Sequence, residues 1–283
     1  VLHPNIWETF HRDLKLMKTA AKYLTIMFPR LHWVNLNQCV QEFSATMHRQ
    51  LDMRYESQSL QKFAHDLRSF PRVTVPQPVP FFVRHNILVE TFEDGVSMCQ
   101  ILTSADHSAQ LKKELAGIGL DLLLQMIFVN NFVHADLHPG NLLVQNIDSF
   151  QLENVIQRNT WDTMALDITP EVQASLRLVM LDCGITASLS PDERLKFREV
   201  FIAVIRGQGE VVADLFLQKS PENHCTDPEL FRKEMAQLVA KGRQNLNSVS
   251  KIRVAELMNE LFTMLSRHKI QLDSSFVTIV LAI

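Results

Sequence analysis

Apolar residues recur mostly three and four positions apart along this chain, a spacing typical of one buried face of an α-helix. The pattern predicts a first helix over about residues 7–27 and a second, longer helix over about residues 36–67. A third helix is predicted over residues 108–131, and the segment after Ser190 returns to the same spacing. The chain is therefore predicted to be rich in helix.

A different pattern separates the second and third predicted helices. Between Phe70 and Gly95 the chain has the short β-branched and aromatic runs VTVPQPV, FFVR and ILVETF, which prolines interrupt. Such runs favour short strands that end in a connection. Two further strands are predicted, one in the apolar run after Asn141 and one in the run LRLVM before Asp182.

The segment between these last two strands, residues 146–175, is polar and has no clear period, so we expect an insertion there. A helix start is predicted at Ser190-Pro191-Asp192-Glu193. Ser190 can cap the helix, Pro191 suits its first position, and Glu193 completes a capping box.

Composition narrows the classes of protein that these elements can form. The chain has 283 residues, a formal net charge of -3 and 46% hydrophobic residues, as in ordinary globular proteins. This near balance of charge gives no argument for broad binding to nucleic acid or to an anionic membrane surface. Four cysteines lie far apart without a CxxC pair, which argues against a disulfide scaffold and a zinc ribbon and favours free thiols in a reducing compartment.

No stretch of the chain reaches the roughly 20 consecutive apolar residues that span a bilayer. The run FVTIVLAI at the end is apolar but too short. The chain begins at Val1 rather than at a methionine and stops inside this run, so we expect both ends to continue in a longer polypeptide that could carry targeting sequences.

The candidate chemistry lies in two loops. The first has HAD at residues 134–136 followed by Asn141, and the second has DCG at residues 182–184 after an apolar run. These are the H-x-D…N and D-x-G spacings of kinase-like phosphoryl transfer. In that interpretation Asp136 aligns the nucleophile or accepts its proton. Asn141 and Asp182 would bind Mg²⁺, which takes a few hard oxygen ligands from protein and the rest from phosphate and water.

Simpler interpretations stay open for these residues. A D-x-G sequence alone most often forms a turn, and a lone histidine such as His134 more often packs as a hydrogen-bonded core residue. A transition-metal site is another alternative, because His134, Asp136 and His138 alternate and would face one way on an extended segment. However, Pro139 and Gly140 turn the chain at once, and no second HxH or HExxH element supplies further ligands.

The octet HADLHPGN, residues 134–141, resembles the catalytic loop H-x-D-x-H-P-G-N of the AarF/UbiB family of atypical kinases, where ordinary protein kinases have H-R-D-x-K-x-x-N. The resemblance covers almost the whole chain. It implies a helix-rich α+β fold of the atypical protein-kinase-like kind, with a truncated N-lobe and a helical C-lobe. The partial N-lobe and family-specific helices would occupy residues 1–90, and the C-lobe residues 91–283, with the insertion at about 146–175.

The resemblance also implies other parts of a nucleotide site. The first four residues, VLHP, resemble the end of the third N-lobe strand, which would place the family's ATP-contacting lysine just before this chain. Glu56 matches the glutamate that pairs with that lysine. Gln50 and Asp52 match an upstream E-x-D pair, from which Gln50 departs, and Asp52 and Glu56 would share one face of a long helix. ILVETFEDG resembles the hinge between lobes, where an adenine would meet the backbone groups of Glu90, Thr91 and Phe92.

By this resemblance the intact protein is expected to bind ATP with Mg²⁺ as an atypical kinase or ATPase, with His134 and Asp136 at the catalytic centre. No A-P-E segment follows Asp182, which favours a small-molecule or lipid substrate over a protein. The family is linked to coenzyme Q production and mitochondrial membranes, which implies a mitochondrial, membrane-associated protein. Nucleic acid is not expected as a partner, since the charge balance gives no argument for it. Without the lysine and the upstream nucleotide loop, this chain alone is expected to have low activity.

Two other functions stay open. A non-catalytic regulator could bind nucleotide through the same metal ligands and change shape. A lipid-binding module could use an apolar face of the C-terminal helices, although apolar residues at helical spacing usually face a core. That face would comprise Leu257, Leu261, Met264 and Ile270. The sequence identifies neither the phosphoryl acceptor nor the oligomeric state.

Overall fold

The amphipathic stretch near the N-terminus forms helix α1, Ile6–Met27, which confirms the first predicted helix. Leu14 and Ala21 lie two turns apart on its buried face. The structure is a computed structural model that describes residues 1–27, 36–148, 150, 175–220, 224–246 and 254–270. The chain divides into two compact units, the first comprising Val1–Leu124 and Asp136–Thr186 and the second Gln125–Ala135 and Ala187–Ile283.

The prediction of one long second helix is wrong. The chain forms α2, Leu36–Gln50, and α3, Met53–Asp66, with a break at Asp52. Asp52 has an extended backbone, φ −129° and ψ 102°, and its carboxylate accepts a hydrogen bond from the Arg54 backbone N–H at 3.1 Å. This bond caps α3, because the first N–H groups of a helix have no partner within it. The predicted shared helix face is also wrong, since Asp52 precedes the helix whose first turn holds Glu56.

Short strands supply the β-structure among the described residues. They are β1 Val73–Thr74, β2 Val96–Ser97, β3 Val133–His134, β4 Leu142–Gln145, β5 Arg177–Met180 and β6 Thr186–Ala187. Four of them form one sheet in the first unit, in the order β1–β5–β4–β2. β4 and β5 pair antiparallel, from Leu142 opposite Met180 to Gln145 opposite Arg177, whereas β1 runs parallel to β5. The strand predicted before Asp182 is thus confirmed as β5.

The strands predicted between Phe70 and Gly95 form only in part. Pro80–Phe82 makes a 3-10 turn, and the run ILVETF contributes a single antiparallel bridge, between Glu90 and Pro78. The prolines account for this, because proline has no N–H to donate to a strand ladder.

Helices α4, Met98–Thr103, and α5, Ala109–Leu124, pack in the first unit. The third predicted helix is confirmed as α-helix to Leu124, and residues Gln125–Asn130, which belong to the second unit, continue as a π-helical turn. The buried side chains of α5 follow a helical spacing, at Leu111, Leu115, Ile118 and Leu122.

The second unit is helical after Ser190, as predicted. Its described helices are α6 Pro191–Arg206, α7 Gly209–Lys219, α8 Pro228–Leu246 and α9 Val254–Arg267. The predicted capping box is confirmed, because the Glu193 N–H donates to Ser190 Oγ at 3.3 Å and the Ser190 N–H donates to the Glu193 carboxylate at 2.8 Å. A Cβ on Gly209 would overlap the Ala236 backbone, so only glycine lets α7 approach α8 this closely.

The apolar face considered as a lipid surface lies mostly inside the core of the second unit. Leu261, Met264 and Ile270 are all buried there, and Leu257 is half-buried. Within the part of the chain that the structure describes, no helix is both long and apolar enough to cross a bilayer.

Three predictions from the sequence, on the insertion, the apolar C-terminal run and the lobe boundary, are not tested by the described structure. Residues 149 and 151–174 of the predicted insertion lie outside the described residues, as does the apolar run 276–283. The division at residue 90 concerns kinase lobes, which the two units do not define, and it stays a prediction.

Candidate functional site

The loop between β3 and β4 is closed by hydrogen bonds among its own residues. The Asp136 carbonyl accepts from the His138 backbone N–H at 3.1 Å and from the Asn141 side-chain Nδ2 at 3.3 Å. The Asn141 backbone N–H donates to the His138 carbonyl at 2.9 Å. Because its nitrogen faces Asp136, the Asn141 side chain presents its oxygen elsewhere, and this oxygen is the atom that a hard cation binds.

His138 holds the turn that follows it. Its Nδ1 accepts a hydrogen bond from the Gly140 backbone N–H at 3.0 Å, at the start of the 3-10 turn Pro139–Asn141. A Cβ on Gly140 would lie 2.8 Å from the His138 Cε1 atom and 2.9 Å from Nδ1. The sequence H-P-G-N therefore has a structural cause: the imidazole ring lies where any larger residue at position 140 would extend.

Substitution of Gly140 by alanine is expected to destabilise the protein. The new methyl group would displace the His138 ring and remove its hydrogen bond, which lowers the free energy of unfolding by about 1 kcal/mol. Gly119 in α5 is the matched control, since a Cβ there meets nothing within 4 Å. Gly119→Ala is expected to raise the free energy of unfolding by roughly 0.5–1 kcal/mol, because glycine is unfavourable inside a helix. Urea denaturation measures both changes in the free energy of unfolding. Stabilisation by both substitutions, or destabilisation by both, would contradict the packing argument.

The second loop begins directly after β5 and is tied to the first. The Leu181 backbone N–H donates to the Asn141 carbonyl at 2.8 Å. The next residue, Asp182, has a left-handed backbone conformation, with φ 49°, and its side chain is exposed. Left-handed conformations are uncommon outside glycine, although aspartate and asparagine adopt them several-fold more often than other residues. The structure therefore brings the backbone of Asn141 close to that of Asp182. Their role as two ligands of one metal ion stays a prediction.

Two further carboxylates, those of Glu56 and Glu90, interact electrostatically with Asp182 in this loop. Glu56, in the first turn of α3, lies close to Gly184, since a Cβ on Gly184 would be 4.0 Å from the Glu56 Cδ and 3.4 Å from the Asp182 Oδ1. Burial raises the pKa of Glu56 to about 7, with repulsion from Asp182 and Glu90 adding to it. Burial and Asp182 also raise the pKa of Glu90. Glu56, Glu90 and Asp182 are therefore near enough for each negative charge to disfavour ionisation of its neighbours.

The raised pKa of Glu56 predicts a loss of stability with rising pH. In an unfolded chain the carboxyl would ionise near its ordinary value of 4.5, whereas in the folded chain it resists ionisation up to about 7. The folded state binds this proton more tightly, so its stability declines as pH rises between these two values. Without metal or nucleotide, Glu56→Gln is expected to be more stable than the unaltered chain at about pH 8 and similar to it at about pH 4. Thermal unfolding across this pH range measures the difference in stability between the two proteins. A difference in Tm that does not change with pH would contradict the prediction.

The predicted hinge uses some of its backbone groups internally. The Val79 N–H donates to the Val89 carbonyl at 2.8 Å, and the Thr91 N–H donates to the Gln77 carbonyl at 2.9 Å. Glu90, opposite Pro78 between these bonds, is in a non-hydrogen-bonded pair, so its own N–H and carbonyl point away from residues 77–79. Within the predicted set of Glu90, Thr91 and Phe92, the Thr91 N–H is therefore engaged, and the backbone of Glu90 faces outward.

His134 lies in β3, in the second unit, and is completely buried. This placement favours the core-histidine interpretation over direct contact with a ligand, and a catalytic role for His134 stays a prediction. The transition-metal alternative has no support in the described residues, where no three His, Cys, Asp or Glu side chains are grouped as they would be around a metal ion.

Sequence reasoning missed the role of Arg54. Its guanidinium binds both carboxylate oxygens of Asp52, with Nε–Oδ1 at 2.9 Å and Nη2–Oδ2 at 2.6 Å. This hydrogen bonding lowers the pKa of Asp52. Asp52 therefore stays charged as the cap of α3, and Gln50 is the last residue of α2. The helix break separates the two positions of the E-x-D pattern. A D-x-R sequence before an amphipathic run is the signal that could have revealed this cap.

A helix-rich fold with a small sheet, in which an H-x-D…N turn is bonded to a D-x-G loop, defines the class of atypical kinase-like domains. The chain belongs to the family described as the ABC1 atypical kinase-like domain, whose family model matches residues 1–216. This confirms the resemblance to AarF/UbiB proteins, because relatives carrying the UbiB name are among those that match.

Several curated proteins are similar to this chain over nearly all of its length. An ABC1 family protein of Saccharomyces cerevisiae, named as mitochondrial, is 27% identical over 306 residues, which cover 100% of this chain and 46% of that protein. A probable serine/threonine-protein kinase, abkC, of Dictyostelium discoideum is 26% identical and covers 99% and 46%. A probable protein kinase UbiB of Histophilus somni is 23% identical and covers 98% and 46%. The chain spans less than half the length of these relatives.

One solved structure supports the fold. The Rv3197–erythromycin complex from Mycobacterium tuberculosis superposes with a TM-score of 0.54 at 18% identity, covering 100% of this chain and 66% of the other. At this identity the similarity shows the fold alone.

Proposed function

We propose that this chain carries the Mg-ATP site of an atypical kinase or ATPase. The observation that carries the proposal is the hydrogen bond at 2.8 Å from the Leu181 N–H to the Asn141 carbonyl. This bond joins the loop of Asp136 and Asn141 to the loop of Asp182. Kinase-like phosphoryl transfer needs these three groups in one place, and the proposal explains why two loops distant in sequence are connected here.

The donor set fits Mg²⁺. Asn141 presents an amide oxygen and Asp182 a carboxylate, and Glu56 and Glu90 add negative charge close to Asp182. Mg²⁺ takes hard oxygen ligands, few of them from protein, and leaves its other positions to phosphate and water. When bound, the metal would neutralise the charge on the phosphates during transfer.

Asp136 would then orient the attacking group and accept its proton. The Asp136 backbone is held by His138 and Asn141, so the position of its side chain is set by the turn. Such positioning contributes much of the rate in phosphoryl transfer, because little covalent chemistry is left to the protein. The outward-facing backbone of Glu90 would bind the adenine ring, with Thr91 and Phe92 beside it.

The substrate is proposed to be a small molecule or a lipid rather than a protein. Helix α6 begins at Pro191, which leaves no room after Asp182 for a long peptide-binding segment. Relatives named as mitochondrial support a mitochondrial location. With it we propose a membrane-associated role in coenzyme Q or lipid metabolism, because the chain belongs to the same family as the UbiB proteins.

This proposal is tested by profiling metabolites and lipids in cells that lack the full-length protein. Re-expression of the unaltered protein is expected to restore the profile, and re-expression of Asp136→Asn at equal abundance is expected to leave the defect. Restoration by both proteins would show that catalysis through Asp136 is not required. The altered compound would identify the substrate class, which the site does not specify.

A further inference from the structure

A second cluster of reactive side chains lies in the second unit. The Cys225 Sγ is 3.8 Å from the His268 Nδ1, and the His268 Nε2 is 3.1 Å from a carboxylate oxygen of Glu234. Cys225 precedes α8, Glu234 lies within α8, and His268 follows α9. The fold thus places the imidazole of His268 next to both a thiol and a carboxylate, each from a different part of the sequence.

The carboxylate decides which nitrogen of His268 carries the proton. An ionised carboxylate only accepts hydrogen bonds, so Nε2 must donate to Glu234. In a neutral ring this leaves the lone pair on Nδ1, the nitrogen that faces the Cys225 sulfur. A base within hydrogen-bond reach of a nucleophile, itself oriented by a third group, is the arrangement that activates cysteine nucleophiles.

The surroundings hold this arrangement in place. His268 is only 7% exposed, and its ring packs against Phe231 with centroids 5.1 Å apart. Glu234 also accepts a hydrogen bond from Arg267 Nη1 at 3.1 Å, which helps to fix the position of its carboxylate. A ring confined in this way has little freedom to turn its other nitrogen toward the sulfur.

We propose that Cys225 is a nucleophilic thiol that reacts with small disulfides, with His268 as its base and Glu234 as the positioning residue. In the reaction the Cys225 Sγ–H proton moves to His268 Nδ1 as the sulfur attacks one sulfur of the disulfide. The bond from Cys225 to that sulfur forms while the original S–S bond breaks. The leaving thiolate takes the proton from His268, so the products are a mixed disulfide on Cys225 and one free thiol.

The other described thiols differ from Cys225 in ways that supply controls. Cys183 is buried beside Asp182, and burial raises the pKa of its thiol, so it is unreactive. Cys99 is exposed, whereas Cys225 is half-buried. On exposure alone Cys99 would react faster. A faster reaction at Cys225 therefore requires activation by its neighbours.

The test treats the full-length protein with glutathione disulfide and follows each cysteine by peptide mass spectrometry. Cys225 is expected to form its mixed disulfide at least about tenfold faster than Cys99. This is less than the usual 10²–10⁴-fold effect of a general base, because half-burial slows Cys225 relative to the exposed Cys99. The same preference is expected with the uncharged 2-hydroxyethyl disulfide. Equal rates at the two cysteines would overturn the proposal, and so would a preference that disappears with the uncharged reagent.

Two variants separate activation from folding. His268→Gln and Glu234→Gln are each expected to slow Cys225 by about tenfold. The rate at exposed Cys99, in the first unit, is expected to stay unchanged and serves as the internal reference for the reagent. Thermal unfolding of each variant checks that the second unit is folded. If His268→Gln unfolds the second unit, Glu234→Gln decides the matter, because Glu234 is partly exposed and glutamine keeps its shape. A Glu234→Gln protein that reacts at Cys225 as fast as the unaltered protein would overturn the roles assigned to Cys225, His268 and Glu234.

Discussion

Asp182→Asn is expected to lower the kcat of Mg-dependent ATP turnover in the full-length protein by at least about 10²-fold, the size of effect seen when a group that stabilises transition-state charge is removed. Asparagine keeps the size of the side chain and also adopts left-handed backbone conformations, so it can occupy the φ of 49° at this position. It removes the negative charge that would bind the metal. Steady-state turnover with saturating Mg-ATP measures the loss.

Asp121→Asn is the matched control for this variant, because Asp121 lies exposed on α5 in the same unit and the change in charge is identical. It is expected to leave turnover within about twofold of the unaltered protein, as surface substitutions usually do. Equal activity of Asp182→Asn and the control would remove Asp182 from the metal site. Loss of thermal stability in Asp182→Asn alone would indicate a structural role instead.

Asp136→Asn is expected to separate turnover from binding. Removal of the group that orients the nucleophile and accepts its proton should lower kcat by roughly 10²–10⁴-fold, the usual range for general-base catalysis. The Kd for Mg-ATP should change little, because the proposed metal ligands Asn141 and Asp182 are intact. The Asp136 carbonyl, which accepts from His138 and Asn141, is also kept. Calorimetric titration and single-turnover kinetics measure the two quantities.

The same pair of measurements distinguishes an enzyme from a nucleotide-dependent regulator. A regulator would bind Mg-ATP and show no turnover in the unaltered protein, so Asp136→Asn would have nothing to lower. An equal loss of binding and turnover in Asp136→Asn would place Asp136 among the structural residues of the loop. The Asp121→Asn protein again serves as the control for the change of charge.

The sequence predicted correctly those elements that depend only on residues close together in the chain. The capping box at Ser190 and Glu193 needs only residues three apart, and the buried strand β5 needs only its apolar run, so both were predicted correctly. The two loops proposed to hold the metal ion were also located from their sequence spacing, and their metal ligands stay a prediction. Their mutual approach follows from the pairing of β4 with β5, which the apolar runs on either side of residues 146–175 did not predict.

The spacing of residues in the sequence did not predict features that depend on contacts between distant segments. The hydrophobic period continues through Leu51, which is buried, so the spacing of apolar residues alone did not mark the end of α2. The break results from the pairing of Asp52 with Arg54, together with a hydrogen bond at 3.0 Å from the Met53 N–H to the His85 carbonyl. The contacts among Cys225, Glu234 and His268 join three separate segments, and no spacing rule relates them.

The pairing of β4 with β5 determines where residues can be inserted into or deleted from this domain without moving the site. Leu142 opposite Met180 is the end of the hairpin next to the site, where the Leu181–Asn141 hydrogen bond closes it, and Gln145 opposite Arg177 is the far end. Residues 146–176 connect the strands at that far end. Because closing a longer loop costs free energy only with the logarithm of its length, residues can be gained or lost there at small cost. Evolution can therefore vary this connector among relatives while the two loops at the opposite end of the hairpin keep their positions.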